Sequence, residues 1–152
     1  MTRFPEGPGT SPGFLLWRLT LAWQRDVAAT LRPLGLTHVQ FVLLACTWWF
    51  SEQGQAPNQL QLAQQAGTDV KMTSQVVRTL ETKGLLARQI DPADTRARLL
   101  RPTSRGGALA QRAITAVEQV DARFFDHDQK TLTPTLQRLL ARQSKPPADP
   151  SV

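Results

Sequence analysis

GLLARQIDPADTRARLLRPTSRG, residues 84–106, is the stretch of sequence that decides the fold. Two runs rich in aliphatic and basic residues, 85–91 and 96–103, flank the turn-forming residues Pro92-Ala93-Asp94-Thr95, so we predict a hairpin of two strands. The preceding segment, from about Val70 to Lys83, is predicted to be a helix with polar and basic side chains on one face. A helix suited to the major groove beside an arginine-tipped hairpin is the layout of a winged helix-turn-helix, and the leading hypothesis is therefore DNA binding.

Positive charge is concentrated in this region. The 152-residue chain has a net charge of +6, and residues 68–112 contain nine basic and four acidic residues, a surplus of five. The basic residues are Lys71, Arg78, Lys83, Arg88, Arg96, Arg98, Arg101, Arg105 and Arg112, and the acidic ones are Asp69, Glu81, Asp91 and Asp94. Clustering of this kind indicates a polyanionic partner more strongly than net charge alone.

Composition restricts the remaining classes of protein. The length suits one domain with a core that needs neither disulfides nor metal, and no apolar run is long enough to span a bilayer. The N-terminus lacks the apolar core of a signal peptide, so we expect a cytoplasmic location. The single cysteine, Cys46, agrees with a reducing compartment.

The predicted fold class is mainly α with a small β-wing. Residues 1–12 and 144–152 are expected to be disordered tails around one domain, residues 13–143. The predicted helices cover residues 13–32, 37–53, 59–66, 70–83, 104–126 and 134–143. Within the domain, 36–103 would form the winged helix-turn-helix lobe, and 13–35 and 104–143 the dimerisation helices.

The predicted recognition helix, residues 70–83, has two distinct faces. Val76, Val77 and Leu80 would point inward, whereas the opposite face would present Lys71, Ser74, Gln75, Arg78 and Thr82. Arginine can pair with guanine and glutamine with adenine in the major groove, and serine and lysine suit bases or phosphates. An ordinary solvated helix face is the alternative interpretation.

The predicted wing adds a second set of candidates. We expect Asp94 to hold the wing in shape through a bidentate pair with an arginine, and Arg96 to reach the minor groove. Arg98 and Arg101 would contact phosphates or solvate the strand. The alternative is that these charges only protect a strand edge from aggregation.

Taken together, these segments resemble the multiple antibiotic resistance regulator (MarR) family of dimeric winged-helix transcription regulators. The resemblance covers about residues 35–107. It is carried by Leu62-Ala63, Met72-Thr73-Ser74, Leu80-Glu81, Lys83-Gly84-Leu85, and Asp94-x-Arg96 with Thr103 and Gly106. It implies a homodimer that binds a pseudo-palindromic operator, as a repressor in our expectation, and that a small aromatic ligand often releases.

Two features of the sequence favour a dimer independently of the family. The first helix is apolar on more than one face, and the fifth helix repeats Ala110, Ala113, Val117, Val120 and Phe124 at the spacing of a helix–helix seam. Packing within one subunit is the alternative for both features.

The resemblance also implies where an effector would bind. Family pockets lie between the dimerisation helices and the DNA-binding lobe, where Trp17, His38, Phe41, Trp48 and Trp49 could line a cleft for an aromatic acid. Aromatic residues at helical spacing are, however, more often core residues.

Other chemistries have little support in the sequence. Cys46 lies mid-helix without a nearby cation, so an inert buried thiol is favoured over a redox-sensing regulator of the same fold. Asp126, His127 and Asp128 could contribute to a surface metal site, but an acidic linking loop is the ordinary explanation. We find no catalytic motif and expect no cofactor. A winged-helix module that binds a partner protein instead of an operator is the remaining alternative.

Overall fold

The computed structural model describes residues 3–144 of the chain. Over these residues, six α-helices and one antiparallel pair of strands follow each other in sequence. They are α1 (Pro12–Leu31), α2 (His38–Glu52), α3 (Gln59–Ala66), α4 (Val70–Thr82), β1 (Leu86–Ile90), β2 (Arg98–Pro102), α5 (Ser104–Phe125) and α6 (Gln129–Gln143). This architecture confirms the predicted mainly helical fold with a small β-wing.

The tails predicted to be disordered lie partly outside this range. Residues 1–2 and 145–152 are not among the described residues. Within the described part, Pro8–Thr10 form one turn of 3-10 helix, and the Ser11 hydroxyl accepts a hydrogen bond from the amide of Phe14 as the N-cap of α1. The first helix therefore begins at Pro12, one residue before its predicted start.

Side-chain caps account for the starts of the three helices around the helix-turn-helix. Thr37 and Asn58 begin α2 and α3 with capping boxes, in which Gln40 and Gln61 bond back to the cap amides. The Asp69 carboxylate accepts from the amide of Met72, 2.7 Å away, at the start of α4. Each cap satisfies amides that have no partner inside the helix.

Residues 3–120 belong to a compact unit whose core is assembled from all of its helices and from the base of the wing. The buried apolar residues are Val27, Leu31, Leu36, Leu43, Leu44, Leu62, Ala63, Val77, Leu80, Leu85, Leu86, Leu100, Ala110, Ala113, Val117 and Val120. Because α4 contributes Val77 and Leu80, its opposite face is left to solvent. Wing strand β2 is tied to the same unit where the amide of Leu100 donates to the Pro57 carbonyl, 2.8 Å away.

The seam on α5 has a different role from the one favoured by its spacing. Ala110, Ala113, Val117 and Val120 are at most 6% exposed because they pack into the core of their own subunit. The alternative of packing within one subunit is therefore correct for these four residues, and they do not support a dimer. A 3.5-residue repeat does not distinguish a partner helix from a neighbour in the same chain.

The second compact unit comprises the described residues from Asp121 onward. Here α6 begins at Gln129, five residues before the predicted start at Pro134. Pro134 is the sixth residue of the helix, where it removes one backbone hydrogen bond, to the carbonyl of residue 130, without ending the helix. The leucines Leu136, Leu139 and Leu140 are exposed.

Between residues 3 and 144, no single helix is long and apolar enough to cross a membrane. Taken together, Pro12–Leu34 and His38–Glu52 have the length and composition of a membrane span, but the chain bends by 73° between them.

Candidate nucleic-acid interface

Helices α3 and α4 form a helix-turn-helix whose turn is held by a small hydrogen-bond network. Gly67 ends α3 in the left-handed region, with φ of 71°, which any residue with a Cβ adopts only with strain. Thr73 is fully buried in α4. Its hydroxyl donates to the Asp69 carbonyl and lies 2.7 Å from the Thr68 hydroxyl. The N-terminus of α4, the end that enters a major groove in helix-turn-helix proteins, is thus held firmly to the turn.

The outer face of α4 agrees with the pattern predicted from the sequence. Lys71, Gln75 and Arg78 are exposed and Ser74 is half-buried, while Val77 and Leu80 are buried on the inner face. Lys71, Ser74, Gln75 and Arg78 make no side-chain hydrogen bond or ion pair with the residues described, 3–144. These four side chains are therefore available to an external partner.

The wing is a hairpin with shorter strands and a longer loop than predicted. Strand β1 pairs with β2 in the register Leu86↔Pro102 to Ile90↔Arg98, which leaves residues 91–97 as the loop. The ladder ends where the amide of Asp91 donates to the carbonyl of Ala97, 3.2 Å away. The predicted turn 92–95 lies inside this loop.

Asp94 shapes the loop by a mechanism other than the predicted ion pair. Its carboxylate accepts from the backbone amide of Arg96 at 3.0 Å, an Asx turn, and no salt bridge joins it to an arginine within the described residues. The expected bidentate pair was therefore wrong: a backbone amide two residues away is reached without the entropy cost of ordering a long side chain. The Asp91 carboxylate makes the same kind of turn with the amide of Ala93.

The basic residues of this region divide into two groups. Four of them bond internally: Lys83 to Gly35 and Gln40, Arg88 to Glu81, Arg98 to the carbonyls of Thr95 and Ala97, and Arg105 to the carbonyl of Lys83. The others, which form no such bond in the described part of the chain, are Lys71, Arg78, Arg96, Arg101 and Arg112. The guanidinium of Arg98, predicted to contact DNA, thus lies folded back onto the wing loop.

Two apolar residues of α4 that are not among the predicted DNA-binding residues are exposed beside the polar face. Val70, the first residue of the helix, is 53% exposed, and Met72 is 42% exposed. Val70, Ser74 and Arg78 follow at steps of four residues and share one side of the helix. Met72 does not fit the inner pattern of Thr73, Val77 and Leu80, so the sequence indicated its exposure. Val70 has the spacing of that inner pattern, yet it is exposed at the first position of the helix.

The structure brings together only part of the predicted effector pocket. The His38 ring lies 5.1 Å from the Trp23 ring and 6.5 Å from the Phe41 ring, so these three form one aromatic group. Trp17 is 63% exposed on α1. Trp48 packs against the core, and Trp49 is exposed with its ring 5.4 Å from that of Phe50. Trp23 is a member that the sequence analysis did not include.

Cys46 is partly buried within α2. Burial raises the pKa of the Cys46 thiol, because removal from water disfavours the thiolate. The thiolate is the reactive form, so its environment lowers the reactivity of this residue.

In the second unit, His127 lies between two carboxylates at the surface. Its Nδ1 is 3.0 Å from Asp126 and its Nε2 is 3.7 Å from Asp128. The described residues contain no group of three or more His, Cys, Asp or Glu side chains placed to hold a metal ion.

Comparison with known proteins agrees with this geometry. The sequence profile of the MarR family matches residues 36–97. The chain is 46% identical to an uncharacterized HTH-type transcriptional regulator of Bacillus subtilis over 79% of its own length and 82% of the relative's. It is 35% identical to an HTH-type transcriptional repressor of Mycobacterium tuberculosis, over 74% and 78% of the two chains.

A solved structure extends the similarity beyond the lobe. The crystal structure of CouR from Rhodococcus jostii RHA1, bound to p-coumaroyl-CoA, matches with a TM-score of 0.80 and 27% identity, over 94% of this chain and 98% of that one. The relatives are regulators rather than enzymes. Fold, helix-turn-helix, wing and sequence identity agree, and the chain belongs to the MarR family of transcriptional regulators.

Proposed function

We propose that this protein is a homodimeric repressor that binds a pseudo-palindromic operator. In this proposal α4 enters the major groove and Arg96 enters the adjacent minor groove. The observation that carries it is the division of the basic residues. The side chains of Lys71, Arg78 and Arg96 have no hydrogen-bond or ion-pair partner among residues 3–144, whereas those of Lys83, Arg88, Arg98 and Arg105 are bonded within the fold.

Free cations are the ones that can bind DNA at low cost. A guanidinium that already donates to a carboxylate or carbonyl must give up that bond before it reaches a phosphate, and charged hydrogen bonds are among the stronger ones. Lys71, Arg78 and Arg96 have only water to lose. Displacement of counterions from the DNA then contributes favourably to binding.

On α4 the side chains suit both base and backbone contacts. Arg78 can donate two hydrogen bonds to guanine, and Gln75 can pair with adenine. Ser74, beside them, suits a phosphate or a base edge. Two copies of this helix related by a two-fold axis require half-sites about one helical turn, roughly 34–36 Å, apart.

For the wing, the arrangement of the loop favours Arg96 as the inserted residue. Its backbone amide is held by Asp94 and its guanidinium is free, so the residue is positioned by the main chain and not by its own side chain. Arginine suits a narrow minor groove because the electrostatic potential there is strongly negative. Arg98 stabilises the loop, because its guanidinium donates to the backbone carbonyls of Thr95 and Ala97.

The dimer is supported by the first helix. Six large apolar residues in its N-terminal half are exposed in the single chain: Phe14, Leu15, Leu16, Trp17, Leu19 and Leu21. An exposed group of large apolar residues of this kind is typical of a surface that a partner covers. A second copy of the chain would cover it symmetrically, as in most soluble homo-oligomers.

Repression and release by a small aromatic ligand are further parts of the proposal. The mycobacterial relative is named a repressor, and CouR was crystallised with p-coumaroyl-CoA, whose acyl group is aromatic. The aromatic group of Trp23, His38 and Phe41 is the candidate wall of an effector pocket. A ligand there would act by binding the DNA-free arrangement of the two lobes more tightly than the DNA-bound one.

The test compares wild type with Arg96→Ala on a labelled duplex from the region upstream of the gene and on a scrambled duplex, across a salt series. We expect specific binding with a steep salt slope for wild type, and weaker binding with an intact dimer for Arg96→Ala. Arg142→Ala, which removes the same charge from the last turn of α6, is the matched control.

Equal weakening by Arg96→Ala and Arg142→Ala would mean that only net charge matters, and would remove the wing from the mechanism. Weak wild-type binding that is equal on both duplexes calls for a selection of bound genomic fragments. Failure of that selection to enrich any inverted repeat would favour a protein-interaction module over an operator-binding regulator.

A further inference from the structure

Lys83 lies at a junction between α4 and the segment that connects α1 with α2. It is the C-cap residue of α4. Its ammonium donates to the Gly35 carbonyl at 2.6 Å and to the Gln40 side-chain oxygen at 3.0 Å, across 48 and 43 residues of sequence. One side chain therefore ties the end of the proposed recognition helix to the start of α2.

The acceptors of Lys83 are themselves held in place. Gly35 ends the 3-10 turn Arg32–Leu34 with φ of 71°, a conformation that directs its carbonyl but suits few other residues. Gln40 accepts from the amide of Thr37, 3.1 Å away, as part of the capping box of α2. The ammonium thus binds a preformed pair of oxygens, so the Lys83 side chain is the group that loses conformational freedom when it does so.

The same residue is held from its other side through its main chain. The Arg105 guanidinium, from the first turn of α5, donates to the Lys83 carbonyl at 3.0 Å. A carbonyl at the end of a helix has no amide of its own helix to bond, so an arginine is a suitable partner for it. Lys83 thereby joins three elements: α4, the α1–α2 connection and α5.

We propose that Lys83 and Arg105 are positioning residues that set the orientation of α4 relative to α1 and α5, and thereby the half-site spacing that the dimer accepts. This inference rests on the proposed function, because it needs both the dimer and the operator. In that proposal α1 carries the dimer contact and α4 the base contacts. A change in the angle between these helices changes the distance between the two recognition helices of the dimer.

This role differs from that of an ordinary phosphate contact. To reach a phosphate, Lys83 would have to leave two oxygens at 2.6 and 3.0 Å. Loss of a phosphate contact weakens binding equally for every spacer and lowers the salt slope. Loss of a positioning contact instead changes which spacer binds best, while the salt slope stays the same.

The experiment begins with the full-length wild-type protein and a random-sequence DNA pool, from which selection defines the half-site. Duplexes that carry two such half-sites and differ only by single base pairs in the spacer are then titrated with wild type, Lys83→Met and Arg105→Met. We expect both variants to reduce the discrimination between the best spacer and its neighbours by at least about threefold, or to shift the best spacer. Lys83→Arg, which keeps a charged donor, should retain much of the wild-type preference.

Arg88→Met is the matched control. It removes one positive charge and one link to α4, since Arg88 pairs with Glu81 at 2.7 Å, but that link runs to the wing and not to α1 or α5. We expect it to leave the spacer preference unchanged. Circular dichroism would check that each variant folds, and size-exclusion chromatography would check that it remains a dimer. If Lys83→Met unfolds, Lys83→Gln, which keeps a neutral hydrogen-bond donor, replaces it.

Three outcomes overturn the inference. Unchanged spacer discrimination in both variants would show that Lys83 and Arg105 only stabilise the fold. An unchanged preference with a salt slope lowered by about 1.8, from one lost phosphate contact per subunit, would assign Lys83 to the DNA backbone. If the wild type itself selects no inverted repeat, the proposed function fails and the positioning role fails with it.

Discussion

Replacement of Gly106 by alanine should destabilise the protein, although alanine is the better helix former. Gly106 lies in the first turn of α5, against the chain segment that enters β1. A Cβ at this position would be 1.8 Å from the Leu85 carbonyl oxygen and 2.7 Å from the Leu85 carbonyl carbon, so either the helix or the strand must move by more than 1 Å. Both obstructing atoms are backbone atoms, which cannot rotate away as a side chain would.

The cost follows from the bonds that hold this junction together. The Thr103 amide donates to the Leu85 carbonyl at 3.1 Å, and the Thr103 hydroxyl donates to the Gly84 carbonyl at 2.7 Å. Loss of these two bonds costs about 1 kcal/mol each, and overpacking adds about 1–3 kcal/mol. Alanine returns about 1 kcal/mol through its helix propensity. The net expectation is a loss of about 2–4 kcal/mol in the free energy of unfolding.

Gly107→Ala is the control, one residue further along the same helix. A Cβ there would meet only the Trp48 ring, 3.8 Å away, which is an ordinary contact. Helix propensity then dominates, and we expect a gain of about 0.5–1 kcal/mol. Urea unfolding of both variants, followed by circular dichroism at one protein concentration because dimerisation contributes to stability, would measure the two changes. A Gly106→Ala protein at least as stable as wild type would refute the close approach of α5 to Leu85.

Four further outcomes are expected. Asp94→Asn should keep operator affinity, because the side-chain amide oxygen can still accept from the backbone amide of Arg96, whereas Asp94→Ala should weaken binding. Equal losses of affinity in a titration of both variants would show that the carboxylate charge matters. Arg78→Ala should lower the discrimination between operator and random DNA by about 1–3 kcal/mol, and an equal loss on both duplexes would assign Arg78 to phosphate. Val70→Ala should make binding insensitive to a thymine-to-deoxyuracil change at one operator position, since the apolar side chain suits a thymine methyl group; sensitivity equal to wild type at every position would exclude that contact. Cys46 should react with iodoacetamide more slowly than a free thiol at pH 8, because burial raises its pKa, and fast alkylation of the native protein would contradict this environment.

Much of the fold was predictable because its boundaries depend on local chemistry. Asn58 and Gly67 define α3, and the observed helix, Gln59–Ala66, has the predicted ends. Thr37 and Asp69 begin their helices by bonding amides only three residues away. Such signals lie within one turn of the chain, so neighbouring residues in the sequence suffice to identify them.

The three errors have separate physical causes. The apolar repeat on α5 identified the buried face but not the partner, because the same spacing suits a neighbour in the same chain. At α6, Pro134 predicts a helix start, but the helix begins at Gln129, because a proline in its second turn costs only one hydrogen bond. In the wing, the backbone amide of Arg96, two residues further along, is the partner of the Asp94 carboxylate, and no guanidinium is.

The basic cluster shows most clearly why the functional residues needed the structure. In the sequence, the nine basic residues of 68–112 look alike, and their shared charge favoured one shared partner. The structure separates them by the bonds that each side chain already makes: the Lys83 ammonium donates to oxygens more than 40 residues away, while the guanidinium groups of Arg78 and Arg96 form no hydrogen bond or ion pair in the described range. A bonded cation must break its internal hydrogen bonds before it can bind DNA. Contact with DNA is therefore more costly in free energy for the bonded side chains than for the unbonded ones. Truncation of Arg78 or Arg96 should therefore lower the affinity of the protein for DNA by the same factor at every spacer length. Truncation of Lys83 or Arg105 should instead change which spacer length binds best.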